Sequence, residues 1–202
     1  MIAQQLEPTA PAKVEASVDA PEKRRFSIPE YYRMAETGVL KRDERVELIE
    51  GEIIALSPIG ALHANTVRRL NKLLNALVGD RATVDAQNPV RIGDNSESQP
   101  DIVLLEHDDY GDTHPTPHDV LLLIEVSDTT FAYDRDTKIP LYARAGIREV
   151  WIVDLNARVV LRHTDPRDGH YRLIERLAHG DQIETQLLPS LSLMVDIERI
   201  LR

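Results

Sequence analysis

The segment that most constrains this chain is Val120-Leu121-Leu122-Leu123-Ile124-Glu125-Val126. An almost unbroken apolar run predicts a strand covered on both faces, the arrangement found at the centre of an α/β sheet. The run also contains a carboxylate. An ionised carboxylate without a partner is very costly to bury. Glu125 must therefore be paired, protonated or bound to a cation. An ion pair at the strand end, with an arginine for example, is the plain structural reading.

The 202 residues allow one compact domain. Hydrophobic residues make up 42% and charged residues 29%, so a core can form without staples. Cysteine is absent, which excludes disulfides, thiolate metal sites and a cysteine nucleophile. The net charge of −10 argues against coating nucleic acid through bulk electrostatics. It does not exclude an enzyme acting on nucleic acid, because a metal site itself needs carboxylates. No apolar run reaches the roughly 18 residues of a membrane span. The N-terminus lacks the apolar core of a secretion signal, so a cytoplasmic location is expected.

Residues 1–25 combine proline, alanine and charge without apolar periodicity. They are expected to form a disordered tail, with the folded domain over residues 26–202. Ser27 and Glu30 form a capping box that opens a short helix ending near Gly38. Residues 45–58 place apolar residues on both sides of Glu50-Gly51 and predict a hairpin. Leu62, Thr66, Leu70, Leu73, Leu74, Leu77 and Val78 fall at helical spacing over residues 60–78. Arg68, Arg69 and Lys72 lie on the remaining face of that helix, where they could be solvated or touch a phosphate backbone.

Strands are expected over residues 82–92, 101–105 and 120–126. Residues 134–145 read as a helix ended by Gly146, in which Pro140 should kink the chain or delay the start. Residues 149–154 and 159–163 predict a hairpin across Asn156. Short strands at 171–175 and 183–187 follow, with a helix from Asp196. No internal repeat is present. The fold class is α/β, a mixed β-sheet flanked by helices with an antiparallel C-terminal portion.

Asp101 stands in Gln99-Pro100-Asp101-Ile102-Val103, at the mouth of a second apolar strand. Two acids at the ends of adjacent core strands can bring carboxylate oxygens to one hard cation, Mg²⁺ or Mn²⁺. Without cysteine or paired histidine spacing, zinc fits less well. Lys138 follows Glu125 by thirteen residues. Asp134, Lys138 and Tyr142 are spaced by four and share a helical face. That face can be a solvated one with an Asp–Lys pair. It can also swing Lys138 over the sheet, to orient or deprotonate a water or to offset charge on a phosphate. His63 opens the long helix, where a surface or capping role is the usual one. Trp151 reads as core. Tyr142 is either a packed aromatic or a hydroxyl donor near the site.

These residues form a recognisable set. Pro100-Asp101, Glu125-Val126-Ser127, Asp134, Lys138, Tyr142, Gly146-Ile147 and residues 149–154 resemble the putative restriction endonuclease family of the PD-(D/E)XK nuclease superfamily. Residues 47–53, and Ser57-Pro58 followed by His63, match the N-terminal half of that family. The resemblance covers about residues 26–200. It implies a restriction-endonuclease-like fold, with Asp101, Glu125 and the backbone carbonyl of Val126 as metal ligands. Glu47 would be the upstream acid, though Glu44, Glu50 and Glu52 stand close by. Lys138 would serve as the catalytic lysine. The wider pattern places that lysine two residues after the second acid, where this chain has Ser127. The implied activity is Mg²⁺- or Mn²⁺-dependent hydrolysis of DNA phosphodiester bonds, with a homodimer expected by analogy. The competing readings are a binding or regulatory protein that keeps the fold without catalysis, and a domain whose buried acids are structural.

Overall fold

The structure is a computed structural model and describes residues 22–41, 43–106 and 109–201. Most of the segment expected to form a tail, residues 1–21, lies outside the described residues.

The expected α/β class is observed. Helix α1 spans Ile28–Glu36, β1 Val46–Ile49, β2 Glu52–Ala55 and α2 Ala61–Val78. Strands β3 to β7 follow at Thr83–Asp85, Val90–Arg91, Glu97–Ser98, Ile102–Leu105 and Val120–Ser127. Helix α3 (Phe131–Tyr133) runs through a wide π turn, Asp134–Lys138, into α4 (Ile139–Arg144). Strands β8 Glu149–Asp154, β9 Val159–Arg167, β10 His170–Leu177, β11 Gln182–Leu188 and β12 Leu191–Asp196 lead to α5, Ile197–Ile200.

Among the described residues the strands form a six-stranded sheet in the order β10-β9-β8-β7-β6-β3, a four-stranded sheet β2-β1-β5-β4, and the hairpin β11-β12. The β7 and β8 pair is parallel, and the helical segment 131–144 crosses between them. All eight residues of β7 are buried, as its apolar run predicts. Its side chains alternate between two cores. Leu122, Ile124 and Val126 pack toward α2 and the β11-β12 hairpin. Leu123 packs toward α4 and the four-stranded sheet. Glu125 shares the Leu123 side, so it enters the space between β1 and α4.

Several local expectations change. Residues 82–92 are not one strand. The chain breaks after β3, passes Gln87 at φ +57°, and joins the other sheet as β4. Asn88-Pro89 stands at that break, and a proline cannot donate to a sheet ladder. Leu62 is 51% exposed because it lies in the first turn of α2, beyond the edge of the core. The helix expected at 134–145 begins earlier, at Phe131. In it the Ile139 N–H bonds the Asp134 carbonyl five residues back. Pro140 sits in the first turn of α4, where its missing N–H is tolerated. Strands β5 and β12 had no counterpart in the sequence reading. The former is two residues long and holds by pairing with β1 and β4.

The capping box forms as expected, with the Glu30 carboxylate accepting the Ser27 N–H and hydroxyl, both at 3.0 Å. Ahead of it the chain passes close over the hairpin tip. The Phe26 N–H bonds the Gly51 carbonyl (2.9 Å), and the Gly51 N–H bonds the Asn95 carbonyl (2.7 Å). Gly51 has φ +77°, and a Cβ there would lie 2.6 Å from Arg25 Cβ.

Candidate active site

Glu47, Asp101, Glu125, Val126 and Lys138 all line one cavity of about 190 Å³. They reach it from four separate segments. Antiparallel pairing of Ile102 with Ile124 brings Asp101, just ahead of β6, opposite Glu125 in β7. Residues opposite one another in a strand pair share a face. Glu47 arrives from β1 in the other sheet. Lys138 closes the π turn.

Lys138 bridges the two layers. Its ammonium donates to Glu47 Oε1 (3.0 Å) and Glu125 Oε1 (3.2 Å). All three residues are at most 4% exposed. Tyr142 is fully buried and donates its hydroxyl to Glu125 Oε1 (2.6 Å). Its single proton is thereby used, so Ser98 Oγ donates to Tyr142 at 2.7 Å. Tyr142 is thus both a packed aromatic and a hydroxyl donor. Glu47 Oε1 also accepts the Gln99 N–H (2.9 Å). Its other oxygen, Oε2, is buried without a hydrogen-bond partner among the described residues.

The plain structural reading of Glu125 is therefore met in part, since its cationic partner is Lys138 rather than an arginine. Among the described residues neither an arginine nor a lysine pairs with Asp101. Its Oδ2 accepts the Val126 N–H (2.8 Å) and meets His63 Nε2 (3.0 Å). Its Oδ1 meets Gln87 Nε2 (3.3 Å). His63 thus reaches the site from the first turn of α2, beyond the capping role usual there.

Asp134 lines the same cavity, but its hydrogen bonds run to hydroxyls rather than to Lys138. Its Oδ2 accepts hydroxyl bonds from Ser127 and Thr130, both 2.7 Å. Ser127, in the place where the wider pattern expects lysine, anchors the start of the π turn whose last residue is Lys138. Arg69 bonds Thr66 Oγ1 (2.9 Å) on its own helix. Trp151 is core and donates to Glu149 (2.7 Å).

The electrostatics follow from the burial. Desolvation pushes the Glu125 carboxyl up to about 8, although the Lys138 ammonium pulls against it. Burial opposes the charge on Lys138, but Glu125 and Glu47 outweigh it and hold the ammonium above its usual range. The hydrogen bond to Asp101 raises the His63 imidazole against the contrary effect of burial. The lining contains five carboxylates, on Glu47, Asp101, Glu125, Asp128 and Asp134. Two permanent cations, Arg45 and Lys138, stand against them, with the imidazole of His63 beside Asp101. Acidic side chains therefore outnumber basic ones in the lining. Among the described residues no three histidine, aspartate or glutamate side chains converge as a ready-made metal cage. The Lys138 ammonium occupies the space between Glu47 and Glu125 instead.

Sequence reasoning did not select Gln87, Ser98 or Gln99. They are uncharged residues without a motif, and only the folded chain shows what they touch. The Asn-Pro signal after Gln87 marked a break, and that was the one usable clue.

Among the described residues no helix is long and apolar enough to cross a membrane. No curated protein matches the chain. Among solved structures the chain is similar to the crystal structure of a putative nuclease belonging to DUF820 from Anabaena variabilis. The two share 16% sequence identity, with a TM-score of 0.65 over 87% of this chain and 97% of that one. At that identity the likeness shows the fold. A family model named Uma2, described as a putative restriction endonuclease, matches residues 28–196, and the chain belongs to that family.

Proposed function

We propose that the chain is a divalent-cation-dependent DNA endonuclease of the PD-(D/E)XK type, with its reaction centre in the cavity between β1, β7 and the π turn. The observation that carries this reading is the convergence of Glu47, Asp101, Glu125 and Lys138 on one cavity whose lining holds more acidic than basic side chains. The residues fit a hard divalent ion. The donors are carboxylate oxygens, and Glu47 Oε2 is buried with no partner. The hydrogen bonds of Glu125 fall on Oε1. Asp101, Glu125 and the Val126 carbonyl would hold Mg²⁺ or Mn²⁺. A bound ion supplies Lewis acidity toward the phosphodiester and lowers the pKa of a water.

The remaining work falls to the protein. Lys138 uses two of its three donors on Glu47 and Glu125, leaving one N–H for the attacking water or a phosphoryl oxygen. Held as an ammonium, it orients and offsets charge rather than removing a proton. Glu47 Oε2 is the acceptor open to the water's proton. Tyr142 and Ser98 fix the rotation of Glu125. Attack on phosphorus breaks the P–O bond to one deoxyribose, whose oxygen takes up a proton from solvent, and leaves the phosphate on the other end. Cutting both strands calls for two such sites, which a homodimer would supply.

The test uses supercoiled plasmid with Mn²⁺, beside a calorimetric Mn²⁺ titration. The parent should nick or linearise the plasmid, and Asp101→Ala and Glu125→Ala should lose both cleavage and Mn²⁺ binding. Cleavage at the parental rate by either variant would overturn the assignment. One observation favours a second reading, a nuclease-fold binding protein without catalysis: Lys138 already pairs with Glu47 and Glu125 without a metal. A parent that binds DNA but takes up no Mn²⁺ decides for that reading.

A further inference from the structure

The Asp101 carboxylate is unevenly held. Two strong donors, Val126 N–H and His63 Nε2, both fall on Oδ2. Bonds to a single oxygen leave the other free to swing. At Oδ1 the contact is Gln87 Nε2, at 3.3 Å. That distance is beyond the usual range for a strong bond, so the oxygen keeps lone-pair capacity for another partner.

The backbone of Gln87 serves the same segment. Its N–H forks to the carbonyls of Pro100 (3.2 Å) and Asp101 (3.3 Å). To do so the residue takes φ +57°, a left-handed conformation that L side chains with a Cβ resist. Asparagine tolerates it best, yet Asn88 stands one place later. Side chain and main chain of one strained residue thus converge on Pro100-Asp101. Strain of this kind persists where the surroundings over-determine it, and it gathers at functional sites.

We propose that Gln87 is a positioning residue that fixes the rotation of the Asp101 carboxylate and presents Oδ1 to a divalent cation. The inference rests on the reading of Asp101 as a cation ligand. If Gln87 only turned the chain between the two sheets, glycine would serve as well at φ +57°. The positioning role requires the amide. Groups that orient a metal ligand typically change metal affinity about 10- to 100-fold when removed.

The experiment compares the full chain with Gln87→Gly and Gln87→Asn, using calorimetric Mn²⁺ titration and thermal melting without metal. Glycine removes the amide and accepts the backbone turn. Asparagine also accepts the turn but is one methylene too short to reach Asp101. The expected result is Mn²⁺ binding weakened about tenfold or more in both, at a melting temperature near the parent's. A folded variant that binds Mn²⁺ within about twofold of the parent overturns the proposal. Should the parent itself bind no Mn²⁺, the reading of Asp101 as a ligand falls, and this inference with it.

Discussion

Replacing Lys138 with methionine tests whether the ammonium holds the two layers together. Methionine keeps an unbranched chain of similar length, so packing changes little. The charge goes, and with it the bonds to Glu47 and Glu125 at 3.0 and 3.2 Å. Glu47 is 0% exposed and Glu125 3%, so solvent replaces little of what is lost. Removing one partner of a buried ion pair costs about 3–5 kcal/mol. Glu125 can relieve part of the loss by taking a proton, since burial already pushes its carboxyl up to about 8. The lower end, about 3 kcal/mol, is therefore expected near neutral pH. In a domain of this size 1 kcal/mol shifts the melting temperature by about 2–4 °C, giving a drop of about 6–12 °C. Scanning calorimetry without divalent ions measures it. With Mn²⁺ added, Lys138→Met should gain more stability than the parent, because its two carboxylates no longer share an ammonium. A variant that melts within about 2 °C of the parent, with the same response to Mn²⁺, would refute the reasoning.

Two further outcomes are expected. The Glu125 carboxyl rises from an ordinary value of 4.5 to about 8 on folding, so between those values the native state holds the extra proton. That contribution to stability is fully present below the lower value and is lost as pH rises through the upper one, by up to about 1.4 kcal/mol per pH unit. Urea unfolding of metal-free protein at about pH 5 and about pH 8 should show the loss in the parent and a flatter dependence in Glu125→Gln; equal slopes would count against it. Gly51→Ala meets both a left-handed backbone and a close contact with Arg25 Cβ, and should lose about 2–4 kcal/mol in denaturant unfolding. Gly38→Ala, also left-handed at φ +77° but with open space around it, should lose only about 1–2 kcal/mol, and equal losses would show that the close approach contributes nothing.

The elements that carry the site were legible because their signals are local. The apolar run of β7, the Glu50-Gly51 turn and the period of α2 each mark one segment, and each formed close to the expected bounds. The convergence of Asp101 with Glu125 was also open to inference, since both lie at strand ends. Lys138 and Tyr142 were open to inference as well, but the other partners were not. Gln87 meets Asp101 across 14 residues of chain and Ser98 meets the Tyr142 hydroxyl across 44, and no spacing rule reports such contacts. His63 was undervalued because a histidine in a first helical turn has a common local role. The stretch 82–92 misled because β-rich residues continue across the break. The change of sheet depends on where β5 pairs, two residues with almost no signal of their own.

The π turn has a consequence for how this chain can vary. Each residue of an α-helix advances the side chain about 100° around the axis. A widened turn amounts to one extra residue, so it offsets the phase of everything after it against everything before it. Asp134 is docked on Ser127 at the front of the turn, while Lys138 and Tyr142 meet Glu125 behind it. Losing one residue between 134 and 138 would restore a regular helix, but only one of those two dockings could survive. The chemistry is thus encoded in a length as well as in residue types. Substitutions at the exposed Arg135 and Asp136 can be absorbed singly, whereas an insertion or deletion in the turn would retire the lysine in one step.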